Sequence, residues 1–466
     1  MTVPILLTDE QMQTFISHGY LILQTGFPAA FHRSLTEQLH SIYQEEGNPG
    51  NNLLPRVREL QKVFDHPIVM GALTSVLGEN YMLHAHRHGH YNAIDKPGLW
   101  HKDSYWGYNR TRNHHPWWAM IMYFPQDTPK QLGPTGIMPC TQNYETRTFT
   151  DENPIDEAQA SGEAGTFALI HYDIWHRSTA NLLGQPRYML KFEFMRTQAP
   201  ASPSWNHRGG GWRTPQLPPS VIPQETMWQE TWNWLCGQSG SLVDSAPFEP
   251  DGTRLATELQ SEWEPDRIHA SYELARRGSD GVAELLRALR EGGQPVSLAA
   301  AYGLSVAGAA ALSGLVEALD SSRTETVIHA VFALGEQGRS AAIAVPKLIS
   351  LTAQEEVSVR RVVVESLGMI GEPSDQVAAA LNICLQDDDV QVRFMAGLAI
   401  AKIGDTGDAC VEQLVFALDD ENRYVRAHAA EALRYIGTER AHDVLIKHLF
   451  STRWCATTTP ANTAYP

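Results

Sequence analysis

One fixed interval runs through the second half of the chain. Arg360, Arg393 and Arg426 are evenly spaced, Gly338, Gly371, Gly404 and Gly437 keep the same interval, and Gly308 and Gly278 extend the series backward at a slightly shorter one. A strict period of this length means that one supersecondary unit recurs, which excludes a single mixed core for this half of the chain. The equivalent segments AAYGLSVAG, AVFALGEQG, VESLGMIG and GLAIAKIG belong to a series of about six units. Within one unit, Val390 to Asn422, apolar residues recur at three- and four-residue steps through VRFMAGLAIAKIG, and ACVEQLVFAL follows a short Gly/Asp turn. Each unit therefore reads as a helix pair. One pair cannot bury its own apolar face, so stacked pairs with a shared core, an α-solenoid, are expected.

The V-R…A…A…L…I-G pattern of these units resembles HEAT repeats, of the short kind found in phycobilisome-lyase-like proteins, over roughly residues 265–450. The acidic turns Asp387-Asp388-Asp389 and Asp419-Asp420-Glu421 are expected to cap the helices that follow, where carboxylates accept orphan N–H groups. The repeated arginines are expected to reach neighbouring repeats. Residues 265–466 carry 18 basic and 26 acidic groups, whereas a DNA-binding solenoid would be basic.

The rest of the composition separates two kinds of domain. Fourteen of the 19 His and 11 of the 12 Trp lie before residue 265. Over the whole 466 residues, 36 basic against 53 acidic groups leave a net charge of −17, which argues against nucleic-acid and anionic-membrane partners. The five cysteines, Cys140, Cys236, Cys384, Cys410 and Cys455, form no C-x-x-C pair, so a reducing cytoplasmic location is expected. No apolar run of about 18 residues occurs, and MTVPILLTDEQ is too short in apolar residues for a signal peptide, so a soluble, unexported chain is expected. The expected division is a jelly-roll domain over 1–200, a linker with a connecting helix over 201–264, helical repeats over 265–450 and a tail over 451–466.

Thr8-Asp9-Glu10-Gln11 has the form of a capping box, His18-Gly19 that of a helix stop, and a strand is expected from Tyr20. Further strands are expected at Tyr81–Tyr91, Trp117–Phe124, Thr166–His171 and Arg187–Met195, separated by Pro/Gly/Asn-rich loops. Many short strands of this kind suggest a jelly roll or barrel. Trp228, Trp232 and Leu235 fall on one helical face, which is expected to pack the barrel against the repeats.

The sharpest local feature is Trp100-His101-Lys102-Asp103, followed well downstream by His176 in Trp175-His176-Arg177-Ser178. On a strand, residues i and i+2 point the same way, so His101 and Asp103 can offer a nitrogen and an oxygen to one point. If His176 adds a third ligand, one face of an octahedron is filled. The open positions then suit a bidentate 2-oxo acid and O₂, as in non-haem Fe(II) oxygenases. A lone H-x-D is weak, and the chain has a second copy at His171-Tyr172-Asp173. The first gains from Arg187, a short way beyond His176 in the chain, whose guanidinium can pair with the distal carboxylate of a dicarboxylic 2-oxo acid, and from Ser178 on the same face as His176.

These segments, with LTDEQMQTFISHGYLIL, WWAMIMYF, LGPTGIMPCTQNY and GTFALIHYDIWHRSTANLLGQPRYMLKFEF, resemble the phytanoyl-CoA dioxygenase family of Fe(II)/2-oxoglutarate oxygenases over approximately residues 5–200. The resemblance implies a double-stranded β-helix, His101, Asp103 and His176 as iron ligands, and Arg187 with Ser178 as the 2-oxoglutarate anchor. It also carries over Trp118 as an aromatic residue near the co-substrate, and His171 and Asp173 as supporting residues. Where the family commonly has N-G-x-L…P-G-S-H, this chain has Leu132-Gly133-Pro134-Thr135…Pro139-Cys140-Thr141-Gln142, so the family's usual substrates do not transfer. Related halogenases have Ala or Gly in place of the carboxylate, and Asp103 favours oxygen transfer.

The run His84-Ala85-His86-Arg87-His88-Gly89-His90 would line one strand face. Either it forms a second metal site, or its inner members, with Asn92 at the same parity, turn toward the iron pocket as partners of co-substrate or substrate. His88, His90, Asn92 and Tyr105 are the candidate substrate residues. The leading expectation is thus a two-domain Fe(II)- and 2-oxoglutarate-dependent dioxygenase that hydroxylates, desaturates or cyclises a polar small molecule, with the repeats binding a protein partner or covering the barrel mouth in cis. The alternative is a repeat scaffold carrying a degenerate oxygenase domain.

Overall fold

Thr8 opens the chain's first helix as the sequence anticipates. Its Oγ1 accepts the N–H of Gln11 at 3.3 Å, and Gln11 Oε1 accepts the N–H of Thr8 at 3.0 Å. The helix, Asp9–His18, stops at Gly19, whose φ of 78° is left-handed, and strand β1 (Tyr20–Gln24) follows at once. The computed structural model describes residues 3–103, 113–150, 156–238, 240, 252–404 and 406–451.

Seven more strands complete the N-terminal region: β2 (Met82–Asn92), β3 (Trp118–Tyr123), β4 (Thr135–Ile137), β5 (Ala158–Gln159), β6 (Thr166–His171), β7 (His176–Ser178) and β8 (Arg187–Met195). They form a five-stranded sheet in the order β1-β6-β3-β8-β2 and a three-stranded sheet in the order β5-β4-β7, with antiparallel pairing throughout. This is the jelly roll expected from the sequence.

Strands β3, β6 and β8 are buried along their whole length, because both faces of the large sheet are covered. Helices pack on the outer face: Phe64 lies 4.6 Å from Phe192 and 5.7 Å from Phe194, and Tyr43 lies 5.3 Å from Tyr188, between ring centroids. Burying each such ring contributes roughly 1.5–3 kcal/mol. The opposite parity of β8, with Arg187, Met189 and Lys191, turns to the space between the sheets, where Thr135, His176 and Ser178 arrive from the small one. Alternation of side chains along a strand therefore places every charged residue of RYMLKFEFM inside the barrel.

The compact units of the chain are Met1–Ala333 and Leu334–Pro466. The first holds the jelly roll, the Trp-bearing helix Glu225–Leu235, and the helices Glu264–Ala275, Ser279–Glu291, Gln294–Val306 and Ala309–Ala318. In the second, helices Val357–Ile370, Val390–Ile403 and Arg423–Ile436 alternate with Val345–Leu351, Asp375–Cys384, Val411–Ala417 and Glu439–Ser451. The fixed period of the sequence has a physical origin there. Gly371, Gly404 and Gly437 end successive helices at φ of 66°, 72° and 70°. Arg360 is bidentate to Asp387 at 2.8 and 2.9 Å, and Arg393 Nε reaches Asp420 at 2.8 Å. Asp389 caps its helix through the N–H groups of Gln391 and Val392, both at 3.0 Å. Acidic turns and arginines thus link one repeat to the next. Among the described residues, no helix is long and apolar enough to cross a membrane.

Candidate metal centre

Pairing of β4 with β7 sets His176 opposite Ile137 and Ser178 opposite Thr135. His101 then joins the edge of this small sheet. Its N–H donates to the carbonyl of His176, and the N–H of His176 donates back, both at 3.0 Å. This reciprocal pair brings the two rings to 4.4 Å between centroids. Asp103, two residues on, is 2% exposed, and its Oδ2 lies 3.2 Å from His176 Nε2. Ligand atoms of His101, Asp103 and His176 all fall within 4.8 Å of one another, with His101 exposed and the other two buried.

Each imidazole is held in one tautomer. His101 Nδ1 is 2.9 Å from the carbonyl of Leu99, and His176 Nδ1 is 3.0 Å from the carbonyl of Ile174. A carbonyl only accepts, so each Nδ1 carries a proton and each Nε2 presents its lone pair. For His176 that lone pair faces a carboxylate oxygen at 3.2 Å, an arrangement that needs a proton or a cation between the two. The donor set of two imidazole nitrogens and one carboxylate suits a divalent transition metal with open positions. Lys191 Nζ also reaches Asp103 Oδ2, at 3.0 Å. Burial alone would raise the Asp103 carboxyl, but His176, with that proton on its Nε2, and Lys191 outweigh it and hold it well below the usual carboxylate range.

A cavity of about 190 Å³ opens beside the trio. Arg187, Lys191, His90 and Asn92 line it from the large sheet, and Thr135, His176 and Ser178 from the small one. Arg187 is 2% exposed and stays cationic, although burial lowers it to about 10. Its Nε donates to the carbonyl of Gly133 at 2.9 Å, while its buried Nη1 has no hydrogen-bond partner. Gly133 has φ of 74°, and a Cβ there would meet the Thr179 carbonyl at 2.7 Å. Only glycine lets that turn approach Arg187. A buried guanidinium nitrogen without an acceptor is costly unless an anion comes to it.

Residues 7–189 match the family model for phytanoyl-CoA dioxygenase (PhyH), and residues 377–454 match that for HEAT repeats. The chain carries a phytanoyl-CoA dioxygenase family domain. No curated protein matches the chain. Among solved structures it is similar to SnoK, a non-haem alpha-ketoglutarate-dependent carbocyclase from nogalamycin biosynthesis, at 15% identity over 42% of this chain and 88% of that one, TM-score 0.34. HygX from Streptomyces hygroscopicus, with nickel and 2-oxoglutarate bound, is similar at 14% identity over 41% and 88%, TM-score 0.35. Likeness at that level does not bear on the reaction.

In the PhyH domain the other sequence candidates are scattered. His90 and Asn92 line the cavity, and His90 Nε2 is buried without a hydrogen-bond partner. The Asn92 amide is already engaged, donating to the Thr179 carbonyl at 3.2 Å and accepting from the Ile94 N–H at 3.0 Å. His88 sits opposite Lys191 in the β2–β8 register, outside the lining. Trp118 also stands off the lining, edge-on to His84 at 5.2 Å and against Tyr172 at 5.4 Å. Tyr105 lies outside the described residues.

The histidine run keeps one face in spite of a register shift between Leu83 and Arg87: the rings of His86 and His88 stack at 5.9 Å, and those of His88 and His90 lie 4.8 Å apart. His84 Nδ1 lies 3.1 Å from Glu193 Oε2, and His86 Nε2 lies 3.8 Å from Oε1. Among the described residues, only His101, Asp103 and His176 come close enough to share a metal ion. The second H-x-D is turned to support. His171 Nδ1 accepts the N–H of Asp173 at 3.2 Å, and the Asp173 carbonyl accepts from Lys102. Sequence reasoning missed Lys191 and Glu193, although charges at alternate positions in an otherwise apolar strand already signalled an inward-facing polar row.

Proposed function

We propose that the chain is an Fe(II)- and 2-oxoglutarate-dependent dioxygenase acting on a polar small molecule, with hydroxylation as the default outcome and desaturation or ring closure as variants. The observation that carries the reading is the pairing of two opposed features across one cavity. Two tautomerically fixed imidazoles and a buried carboxylate converge on one side, and Arg187 presents an unsatisfied guanidinium nitrogen on the other.

His101, Asp103 and His176 would hold the metal, which when bound supplies a site where a 2-oxo acid and O₂ react. Arg187 would pair with the distal carboxylate of 2-oxoglutarate, and Ser178, on the facing strand, would donate its hydroxyl to the same group. Lys191 and Asp103 compensate each other's charge within a water-poor wall. The overall balance is substrate C–H, 2-oxoglutarate and O₂ giving C–OH, succinate and CO₂. Coenzyme-A thioesters do not fit, because the loop from Leu132 to Gln142 departs from the family's pattern and no basic cluster for their phosphates is evident in the barrel sequence. We place the chain in a reducing cytoplasm. The four described cysteines, Cys140, Cys236, Cys384 and Cys410, are free.

The test is iron-dependent conversion of 2-oxoglutarate to succinate by the purified chain. With ascorbate supplied as the reductant that takes up the second oxygen atom as water, the expected result is slow succinate release without substrate, abolished in His101→Ala and Asp103→Ala. Undiminished succinate release by Asp103→Ala would sink the reading. A chain that binds no divalent metal and makes no succinate would instead point to the scaffold alternative, in which the repeats are the working surface.

A further inference from the structure

The helix Glu264–Ala275, where the repeat region begins, grips the loop on which both metal-ligand segments rest. Glu264 is the first residue of that helix and is 7% exposed. Its carboxylate does not serve its own helix. Oε1 accepts the N–H of Glu145 at 2.8 Å, and Oε2 accepts the N–H and hydroxyl of Thr146 at 2.7 and 2.5 Å. Two backbone donors held by one carboxylate make a strong, oriented clamp.

Glu145 and Thr146 end the loop that starts at Met138. Inside it, Thr141 touches both ligand segments. Its carbonyl accepts from Lys102 Nζ at 3.1 Å, and Lys102 lies between His101 and Asp103. Its Oγ1 accepts the N–H of Trp175 at 3.2 Å, and Trp175 precedes His176. Met138 and Trp175 are also joined, N–H to carbonyl, at 2.9 Å. Cys140 has φ of 62°, in the left-handed region that a non-glycine residue adopts only under constraint. The same helix holds the strand lead-in as well, since Tyr272 Oη is 2.9 Å from His114 Nδ1, and Tyr302 of the helix Gln294–Val306 stacks on the same ring at 4.0 Å.

We propose that Glu264 is a positioning residue for the metal centre: through Glu145 and Thr146 it fixes the 138–146 loop, and through Thr141 it sets the segments that carry His101, Asp103 and His176. The first repeat helix is then part of the oxygenase, and does not merely accompany it. The inference rests on the metal reading above. Outer partners of metal ligands commonly govern affinity by about 10- to 100-fold, and a clamp acting through one intervening loop belongs at the lower end.

The test uses the full chain with Mn²⁺, followed by the loss of the free-ion electron paramagnetic resonance signal, and hydrogen exchange of the Trp175 amide in the metal-free chain. Glu264→Ala should weaken Mn²⁺ about tenfold and speed Trp175 exchange. Glu264→Gln, with one good acceptor left, should fall between. Thr141→Val should reproduce the Mn²⁺ loss while leaving Glu264 in place, and the double variant Glu264→Gln/Thr141→Val should lose less than the product of the two single losses, because both act on one path. Wild-type Mn²⁺ affinity in Glu264→Ala, within twofold, would overturn the inference even if the variant melts lower, and so would fully multiplicative losses. Failure of the wild type to bind Mn²⁺ would instead overturn the metal reading itself.

Discussion

Lys191 Nζ lies 3.0 Å from Asp103 Oδ2, with the two side chains 4% and 2% exposed. Neither charge has bulk water to fall back on, so removing Lys191 takes a compensating cation from Asp103 and leaves His176 Nε2, at 3.2 Å, beside it. Lys191→Met should lower the stability of the metal-free chain by about 3 kcal/mol, the range seen when one partner of a buried pair is deleted. A divalent ion at the trio would replace the missing charge. Added Mn²⁺ should therefore restore more of the lost melting temperature in Lys191→Met than it adds to the wild type. Equal shifts in both, read by thermal melts with and without the ion, would place Lys191 outside the metal's field.

Arg187 offers a separate handle, because it faces the cavity from β8 and no metal-ligand atom depends on it. Arg187→Ala should raise the KM for 2-oxoglutarate by about 100-fold, the loss of a bidentate charge-assisted pair, with Mn²⁺ affinity unchanged. Arg187→Lys should recover only part of this, since an ammonium cannot reproduce the planar fork that bonds the Gly133 carbonyl and an anion at once. A loss of metal affinity equal to the loss of co-substrate affinity would show that Arg187 holds the barrel together and does not bind the acid.

How much of this was legible in the sequence depends on how local each cause is. The capping box at Thr8 and the glycine stops of the repeats are set within a few residues, and the structure forms both. His101, Asp103 and His176 were readable as a pattern, but their convergence comes from the reciprocal pairing of His101 with His176 at the edge of the small sheet. The histidine run follows its local pattern. Alternation predicts one face, and the register shift between Leu83 and Arg87 leaves it in place, with His84 and His86 beside Glu193 and His86 stacked on His88 at 5.9 Å. The extent of the first unit was hidden. His114 bonds Tyr272, and His115 Nε2 meets Glu230 at 2.7 Å while its ring stacks on Trp234 at 4.2 Å. These contacts join segments far apart in the chain, and no local pattern encodes them.

The repeat linkages make a prediction in the second unit. Arg393 reaches Asp420 at 2.8 Å and the carbonyls of Asp387 and Asp388 at 2.8 and 3.2 Å, largely sheltered from solvent. Stability in such arrays is a sum of unit and neighbour terms. Arg393→Ala should cost about 2 kcal/mol, at the charged-hydrogen-bond level. Arg287→Ala is the control, because its exposed pairs with Glu284 and Glu291 lie on one helix, and it should leave stability nearly unchanged. Denaturant melts of the two variants decide it, and equal costs would remove the inter-repeat role of Arg393.

Glu193 sets the last expectation. Its carboxyl is fully buried on the inward face of β8, with His84 Nδ1 at 3.1 Å and Oε1 without a hydrogen-bond partner. Burial raises it to about 7, with His86 and Lys191 opposing the shift. Its usual value is 4.5, so in the unfolded chain it ionises first, and the folded state binds the extra proton. The sign follows. Where the folded chain holds more protons than the unfolded one, stability falls as pH rises. Between about pH 4.5 and 7, ionisation of Glu193 should therefore take on the order of 3 kcal/mol from the metal-free chain, the equivalent of the shift at 1.36 kcal/mol per unit. Glu193→Gln keeps the shape and cannot ionise. Its stability relative to the wild type should rise steadily across that window and level off above it, measured by urea melts in a chelating buffer. A difference that does not change with pH would mean that Glu193 is ionised in the fold throughout, stabilised by a protonated His84, and the wall beside the metal centre would then be anionic at every working pH.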